Sequence, residues 1–352
     1  MNRLQPVDFG RPQLVLRREP TLALRASWRS IVVLSALGIG AAALAVLALG
    51  VGEYPVSPAE VIGVLTGREQ GFVNVLVLQW RLPRIVLALV IGAALGMSGA
   101  IFQALTRNPL GSPDVIGFNF GAYTGALVVI GAFGGGYYLT ALGGVIGGLL
   151  TAVVVYLLAY RNGMAGFRLI IVGIGVGAML SSLNQWIILK IKLHQAITAA
   201  VWQQGALNGL RWEQAVPVLV CVAIVVVILV PIGPQLSILQ LGDDAAGGLG
   251  LQPERARIAY FGVGVLLIAV ATAAAGPISF VALAAPQLAR RVVGTPGVGL
   301  ISSAVMGAFL LLSSDLIALR IFAPDELPVG AVTVVAGGAY LIWLLVMQAR
   351  RQ

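Results

Sequence analysis

From Val115 to Tyr160 the chain runs 46 residues without a charged side chain. A helix needs about 20 apolar residues to cross the ~30 Å hydrocarbon layer of a bilayer. The run is too long for one crossing and sufficient for two, and Gly134-Gly135-Gly136 marks the break between them. Lipid offers no partner for backbone N–H and C=O groups, so such segments must pair them internally as helices. Composition agrees. Charged residues make up 10% of the chain and the mean hydropathy is +0.97, against roughly 25% charged residues in a soluble domain. A soluble enzyme is excluded, and the chain reads as an all-α integral membrane protein.

The same argument gives ten spans, at about 31–51, 85–105, 115–132, 138–160, 169–189, 215–232, two within 258–289, 298–319 and 328–348. Pro231 and Pro234 are expected to end the sixth. The 32 uncharged residues from Ile258 to Ala289 are generous for one crossing. Gly276-Pro277 splits them into a full span and a shortened one that protein must shield. Ser57-Pro58-Ala59-Glu60 is a capping box with proline at the first helical position and predicts a short surface helix. Residues 190–213 form a polar loop with an amphipathic piece around Val201-Trp202. Residues 31–51 are uncharged over 21 positions, longer than the ~7–15-residue core of a signal peptide, and read as a retained span. Before them lies a basic tail, residues 1–30, suited to anionic headgroups on the cytoplasmic face. Residues 31–352 form one membrane domain.

Ten spans put both termini on one side. That side then holds 15 of the 22 basic residues and the other holds Arg68, Arg81, Arg84, Lys190, Lys192, Arg211 and Arg320. Positive-inside bias places both termini in the cytoplasm. Arg255 and Arg257 share that side with Arg290 and Arg291 only if the 258–289 block crosses twice. The arginines sit at span ends rather than on one face, so the net charge of +9 gives little support to nucleic-acid binding.

Residues for chemistry are missing. Neither Lys190 nor Lys192 follows a glycine as a phosphate-binding loop requires, and there is no HExxH and no carboxylate dyad. No ATP hydrolysis is expected of this chain, no metal site and no cofactor. Cys221 in an apolar run reads as a small buried hydrophobe, and His194 has no cluster of ligands beside it. Asp315 is the one acid clearly inside a span. An intramembrane carboxylate invites a functional reading, but its place near the end of the ninth span fits a helix terminus equally well. Span 5 carries Ser181, Ser182, Asn184 and Gln185, unusual polarity for a lipid-facing helix.

The most informative stretch is 81–125. Ile85–Thr106 is charge-free, with Gly92, Gly96 and Gly99 allowing close helix approach. It is followed by Asn108-Pro109-Leu110-Gly111-Ser112-Pro113-Asp114, whose prolines and glycine forbid helix. Such a link is tolerable only at the membrane edge or along a water-filled path. RLPR, the glycine series from Gly92 to Gln103, NPLGSPD and GFxxGA resemble the permease subunits of ATP-driven, binding-protein-dependent importers of ferric siderophores, haem and vitamin B12. SPDVIGF with GAYTGAL is most similar to ferric-enterobactin permease subunits, and the resemblance runs from about residue 30 to the C-terminus.

The resemblance implies a vitamin B12 importer-like (type II) permease in the bacterial inner membrane. Its expected partners are a second permease subunit, favoured as an unlike one, two ATPase subunits and a soluble siderophore-binding protein. It implies binding-protein docking at Arg81, Arg84 and Arg320, although Arg320 stands one position out of register before Glu326-Leu327-Pro328. It implies a cytoplasmic gate at Asn108 and Leu110, faced by Gly166 and Phe167. It also implies an ATPase-coupling loop at about 239–257, with Leu241, Gly242, Asp243, Ala246, Leu249 and Gly250. There Asp243 is expected to cap a short helix whose small residues, Ala246 among them, lodge in the partner. Ser181, Ser182, Asn184 and Gln185 would line the translocation path. GPISFVALAAPQLAR at 276–290 resembles a family motif but carries Ala282 for glycine and Gln287 for histidine, and Gln287 cannot titrate. Haem or cobalamin is the alternative cargo. An ion-coupled secondary transporter is the competing class, for which charges within the membrane are scarce.

Overall fold

The computed structural model describes residues 13–18, 22–52, 54–161, 166–294, 297 and 299–349. Among these, the chain is helical apart from one hairpin in the basic tail, to which the sequence reading gives no structure. β1 (Gln13–Arg18) and β2 (Leu22–Ser27) pair antiparallel, Gln13 opposite Ser27 and Arg18 opposite Leu22. The helices follow as α1 (Trp28–Gly50), α2 (Pro58–Leu65), α3 (Phe72–Val75), a π-helical segment (Leu76–Arg81), α4 (Leu82–Thr106), α5 (Phe118–Phe133), α6 (Tyr137–Ala159) and α7 (Gly166–Lys190). After them come α8 (Leu193–Gln203), α9 (Trp212–Gln240), α10 (Asp243–Gly248), α11 (Pro253–Ala275), α12 (Val281–Val293), α13 (Leu300–Arg320) and α14 (Val329–Ala349).

Seven helices among the described residues are long and apolar enough to cross a membrane: α1, the continuous Phe72–Thr106 helix, α6, α7, α9, α11 and α13. α5 and Val329–Trp343 of α14 are apolar but shorter, and α12 has 13 residues. The chain is therefore a multi-pass membrane protein. The two expected breaks are real: Gly134, Gly135 and Gly136 all adopt positive φ, and Gly276 (φ 73°) closes α11. The shortened α12 is shielded by protein, with Val281 to Gln287 all buried. The capping box at α2 forms as its spacing requires, Glu60 N–H donating to Ser57 Oγ and Ser57 N–H to Glu60 Oε2 at 2.8 Å.

Three boundaries differ from expectation. The helix that was to begin at Ile85 starts at Phe72 and absorbs RLPR. Pro83 lacks the N–H that would bond four residues back, and just before it the register slips so that Leu82 N–H bonds Val77 O, five back. Trp212 Nε1 satisfies the Leu78 carbonyl at 2.8 Å. α9 runs through Pro231 and Pro234 to Gln240. Proline removes one backbone bond without forbidding helix where neighbouring helices pack alongside, as α4 and α11 do here.

The third difference positions the site. The link after α4 does not stay at the bundle's edge. Gly117 lies against Gly173 and Gly177 of α7, about 10–16 Å along that helix from its first residue at 1.5 Å per residue. The 107–117 segment therefore folds back into the bundle, and α5 starts inside it. α4 is the centre of this packing, against α13, α12, α11 and α9. Its small residues do what their spacing suggests. A Cβ on Gly92 would lie 2.4 Å from Gly307 O, on Gly96 2.1 Å from Ser303 O, and on Gly99 1.7 Å from Ala282 O. No side chain fits there.

Candidate functional site: the two ends of α4

At the α4 start, Arg84 and Asp315 of α13 form a two-pronged ion pair. Arg84 Nε donates to Asp315 Oδ2 and Nη2 to Oδ1, each at 3.0 Å, while Nη1 reaches Glu326 Oε2 at 3.1 Å. The Asp315 side chain is 3% exposed and that of Arg84 13%. Asp315 is thus neither a free intramembrane acid nor a helix-end cap, but half of an interhelical clamp. Arg81 Nη1 donates to Leu49 O at 2.6 Å and Nη2 to Tyr54 O, so this cation sits on the carbonyls at the end of α1. Of the three arginines expected at a docking face, only Arg320 is exposed with no polar partner among the described residues. A cavity of about 440 Å³ opens here, lined by Tyr54, Phe72, Trp80, Arg81, Arg84 and Asp315 among others.

At the other end, Arg107 caps α4 in the left-handed region (φ 49°, ψ 33°). The Asn108 side chain closes a tight turn, accepting from Leu110 N–H at 2.9 Å, while Asn108 O accepts from Gly111 N–H. Pro109 and Leu110 are left exposed at its tip. Gly166 packs on the Thr106 backbone, close enough that a Cβ would lie 2.4 Å from Thr106 Cα, and Phe167 beside it is exposed. The structure thus brings the four expected gate residues to one place. Gln287 of α12 joins them, donating Nε2 to Pro109 O at 2.7 Å.

α10 departs from expectation in two ways. Ala246 is fully buried against its own chain, so it faces no partner, whereas Leu241 and Leu249 are exposed and Gly247 and Gly248 border open space. Gly242 (φ 116°) takes the cap position and Asp243 is the first helical residue. Asp243 Oδ1 accepts from Arg107 Nη2 at 2.7 Å and from Arg257 Nη2. Burial pushes this carboxyl up, but the two guanidinium groups outweigh it and hold it below the ordinary carboxylate range. Gly250 ends the turn at φ 81°.

Of the four α7 residues expected along a path, Asn184 is buried. It accepts from Thr124 Oγ1 at 2.7 Å and donates to Phe120 O at 3.2 Å, stitching α7 to α5. Ser182 and Gln185 are exposed, while Ser181, one turn before Asn184 on the same side of α7, is half-buried. Sequence reasoning overlooked Asp114. Its carboxylate accepts from Asn119 Nδ2 at 2.9 Å and from Phe280 N–H at 3.3 Å, at the N-terminus of α12. Phe280 itself adopts φ 69°. A second cavity of about 360 Å³ is lined by Asp114, Asn119, Gln203, Ser279, Phe280 and Ser112 among others. The one signal was the polarity of NPLGSPD. The sequence left the membrane edge and a water-filled path both open for this segment, and the structure folds it into the bundle.

Residues 40–347 match the FecCD transport family. The chain belongs to that family. It is 48% identical over 304 residues to the ferric enterobactin transport system permease protein FepG of Escherichia coli (strain K12), covering 86% of this chain and 91% of FepG. It is 35% identical to the iron(3+)-hydroxamate import system permease protein FhuG of Bacillus subtilis (strain 168), over 85% of this chain and 92% of FhuG. A solved metal-chelate type ABC transporter in an inward-facing conformation superposes with a TM-score of 0.77 at 26% identity, covering 90% of this chain and 99% of that one. In this chain the Arg84 clamp and the Asn108–Leu110 turn lie at opposite ends of one helix.

Proposed function

We propose that this chain is a ten-span permease subunit, both termini cytoplasmic, of an ATP-driven importer of ferric siderophores of the catecholate class. The observation that carries the cargo is the 48% identity to the ferric enterobactin permease protein over nearly the full length of both chains. The two ends of α4 fit the task. The Arg84 end faces outward, and Arg320 offers its guanidinium to an acidic binding protein, while Arg81 and Arg84 tie the rim together. The Asn108–Leu110 turn with Gly166 and Phe167 is the inner gate. The 239–257 segment docks on an ATPase subunit through Leu241 and Leu249, with Gly242 and Gly250 shaping the turn and Asp243 and Ala246 seating it from within. A second, unlike permease subunit completes the path, which Ser181, Ser182 and Gln185 line. Nucleotide is hydrolysed by the separate ATPase subunits.

Deleting the gene and following iron uptake tests this reading. Uptake from a ferric catecholate is expected to fail while ferric hydroxamate, haem and cobalamin uptake continue, and removing the ATPase subunit is expected to give the same defect. Loss of haem or cobalamin uptake instead would refute the cargo. Catecholate uptake that survives loss of the ATPase would favour an ion-coupled carrier.

A further inference from the structure

Arg107 occupies an unusual position. It follows the last residue of α4, precedes Asn108, and holds a left-handed backbone that residues with a Cβ rarely adopt (φ 49°). That conformation turns its side chain away from α4 and across to the ends of two other helices. Nη2 donates to Leu239 O in the last turn of α9 at 3.2 Å and to Asp243 Oδ1 at the start of α10 at 2.7 Å. The same Asp243 oxygen takes Arg257 of α11. α10 is otherwise lightly held, by buried Ala246 and by backbone bonds such as Leu251 N–H to Ala246 O. Among the described residues no other hydrogen bond or ion pair joins α10 to the 106–117 segment.

The turn beyond Arg107 has a second handle. Gln287 of α12 grips Pro109 O, and the Asn108 carboxamide closes Asn108–Leu110 into one unit. A unit tied at Arg107 to the ends of α9 and α10 and at Pro109 to α12 is placed to turn when α10 moves relative to α12. We propose that Arg107 is the positioning residue that converts displacement of α10 into opening of the Asn108–Leu110 turn. The inference rests on the permease reading and adds the physical link between its ATPase contact and its gate.

The test uses the complete transporter, with its ATPase and binding protein, in proteoliposomes. In Arg107→Gln, cargo-stimulated ATP hydrolysis is expected to stay within about twofold of wild type while cargo moved per ATP falls roughly tenfold, mid-range for an energetic coupling. Arg107→Lys, which keeps a charge able to reach Asp243, is expected to recover part of the ratio. A merely structural role would lower hydrolysis and transport together. A second readout is maleimide labelling of Leu110→Cys in a Cys221→Ala background, since Cys221 is itself exposed. Its rate is expected to depend on nucleotide in the parent and not in Arg107→Gln. Should Arg107→Gln fail to assemble, Arg107→Asn, whose side chain suits the left-handed backbone, removes the same link. An unchanged cargo-to-ATP ratio overturns the inference alone. Absence of cargo-stimulated hydrolysis in the wild-type assembly overturns the permease reading and the inference with it.

Discussion

The Arg84–Asp315 clamp yields the sharpest energetic prediction. Removing one partner of a largely buried, two-pronged ion pair strands a poorly solvated charge and costs about 3–5 kcal/mol. Arg84 would keep Glu326, whose side chain is 30% exposed, so Asp315→Ala is expected near the lower figure, ~3 kcal/mol. Glu326→Ala removes the partly solvated arm and is expected to cost about 0.5–1 kcal/mol. Replacing both buried partners, Arg84→Met with Asp315→Leu, removes the charge instead of stranding it and should return stability to within ~1 kcal/mol of wild type, since apolar isosteres of buried pairs are often neutral. Equilibrium unfolding in mixed dodecylmaltoside–dodecylsulfate micelles would measure all three. If Asp315→Ala costs no more than Glu326→Ala, or if the double variant costs the sum of its singles, the clamp is not desolvated as its geometry implies.

Gly99→Val is expected to abolish folded expression, because its Cβ alone would lie 1.7 Å from Ala282 O; near-normal yield in a detergent sizing assay would contradict the packing. Gln287→His places a titratable ring at the Pro109 carbonyl, where the wild type has an amide that does not titrate. Transport by that variant is expected to acquire a pH dependence around ~6.5 that wild type lacks, measured by uptake between pH 5.5 and 8. Asp243 is held ionised below its ordinary range, so its tie to Arg107 and Arg257 is present at neutral pH and lost only as pH falls through the depressed value. Labelling of Leu249→Cys in the Cys221→Ala background, expressed at each pH relative to a free thiol because only the thiolate reacts, should therefore be constant from pH 8 to 5 and rise under stronger acid. A rise already near pH 6 would contradict the pairing.

The helices were legible because lipid leaves the sequence few options: charge-free runs, a triple glycine and a Gly-Pro break gave α5, α6, α11 and α12 to within a few residues. Glycine spacing along α4 was equally informative, since only close approach explains it. Partner choice was not legible. Arg81 and Arg84 look alike as flanking cations, yet one caps α1 and the other clamps α13, and the difference lies in residues 27 to 242 positions away. Asp315 lacked a visible partner for the same reason. Ala246 looked outward-facing because a six-residue helix has too little periodicity to reveal its buried side. Pro231 and Pro234 read as a stop because the packing that carries α9 through them, α4 and α11 alongside, lies on other helices.

α1 shows how the bundle must be assembled. It lies on α13, where Gly40 meets the Phe309 ring, and it is fastened at both ends by arginines: Arg29 donates to Val292 O at the close of α12, and Arg81 holds Leu49 O. The helix that leaves the ribosome first therefore finds most of its seat in helices synthesised last. Until α12 and α13 arrive it lacks most of its seat, and a protein stalled before residue 281 would leave it only Arg81, α2 and the start of the Phe72–Thr106 helix to rest on.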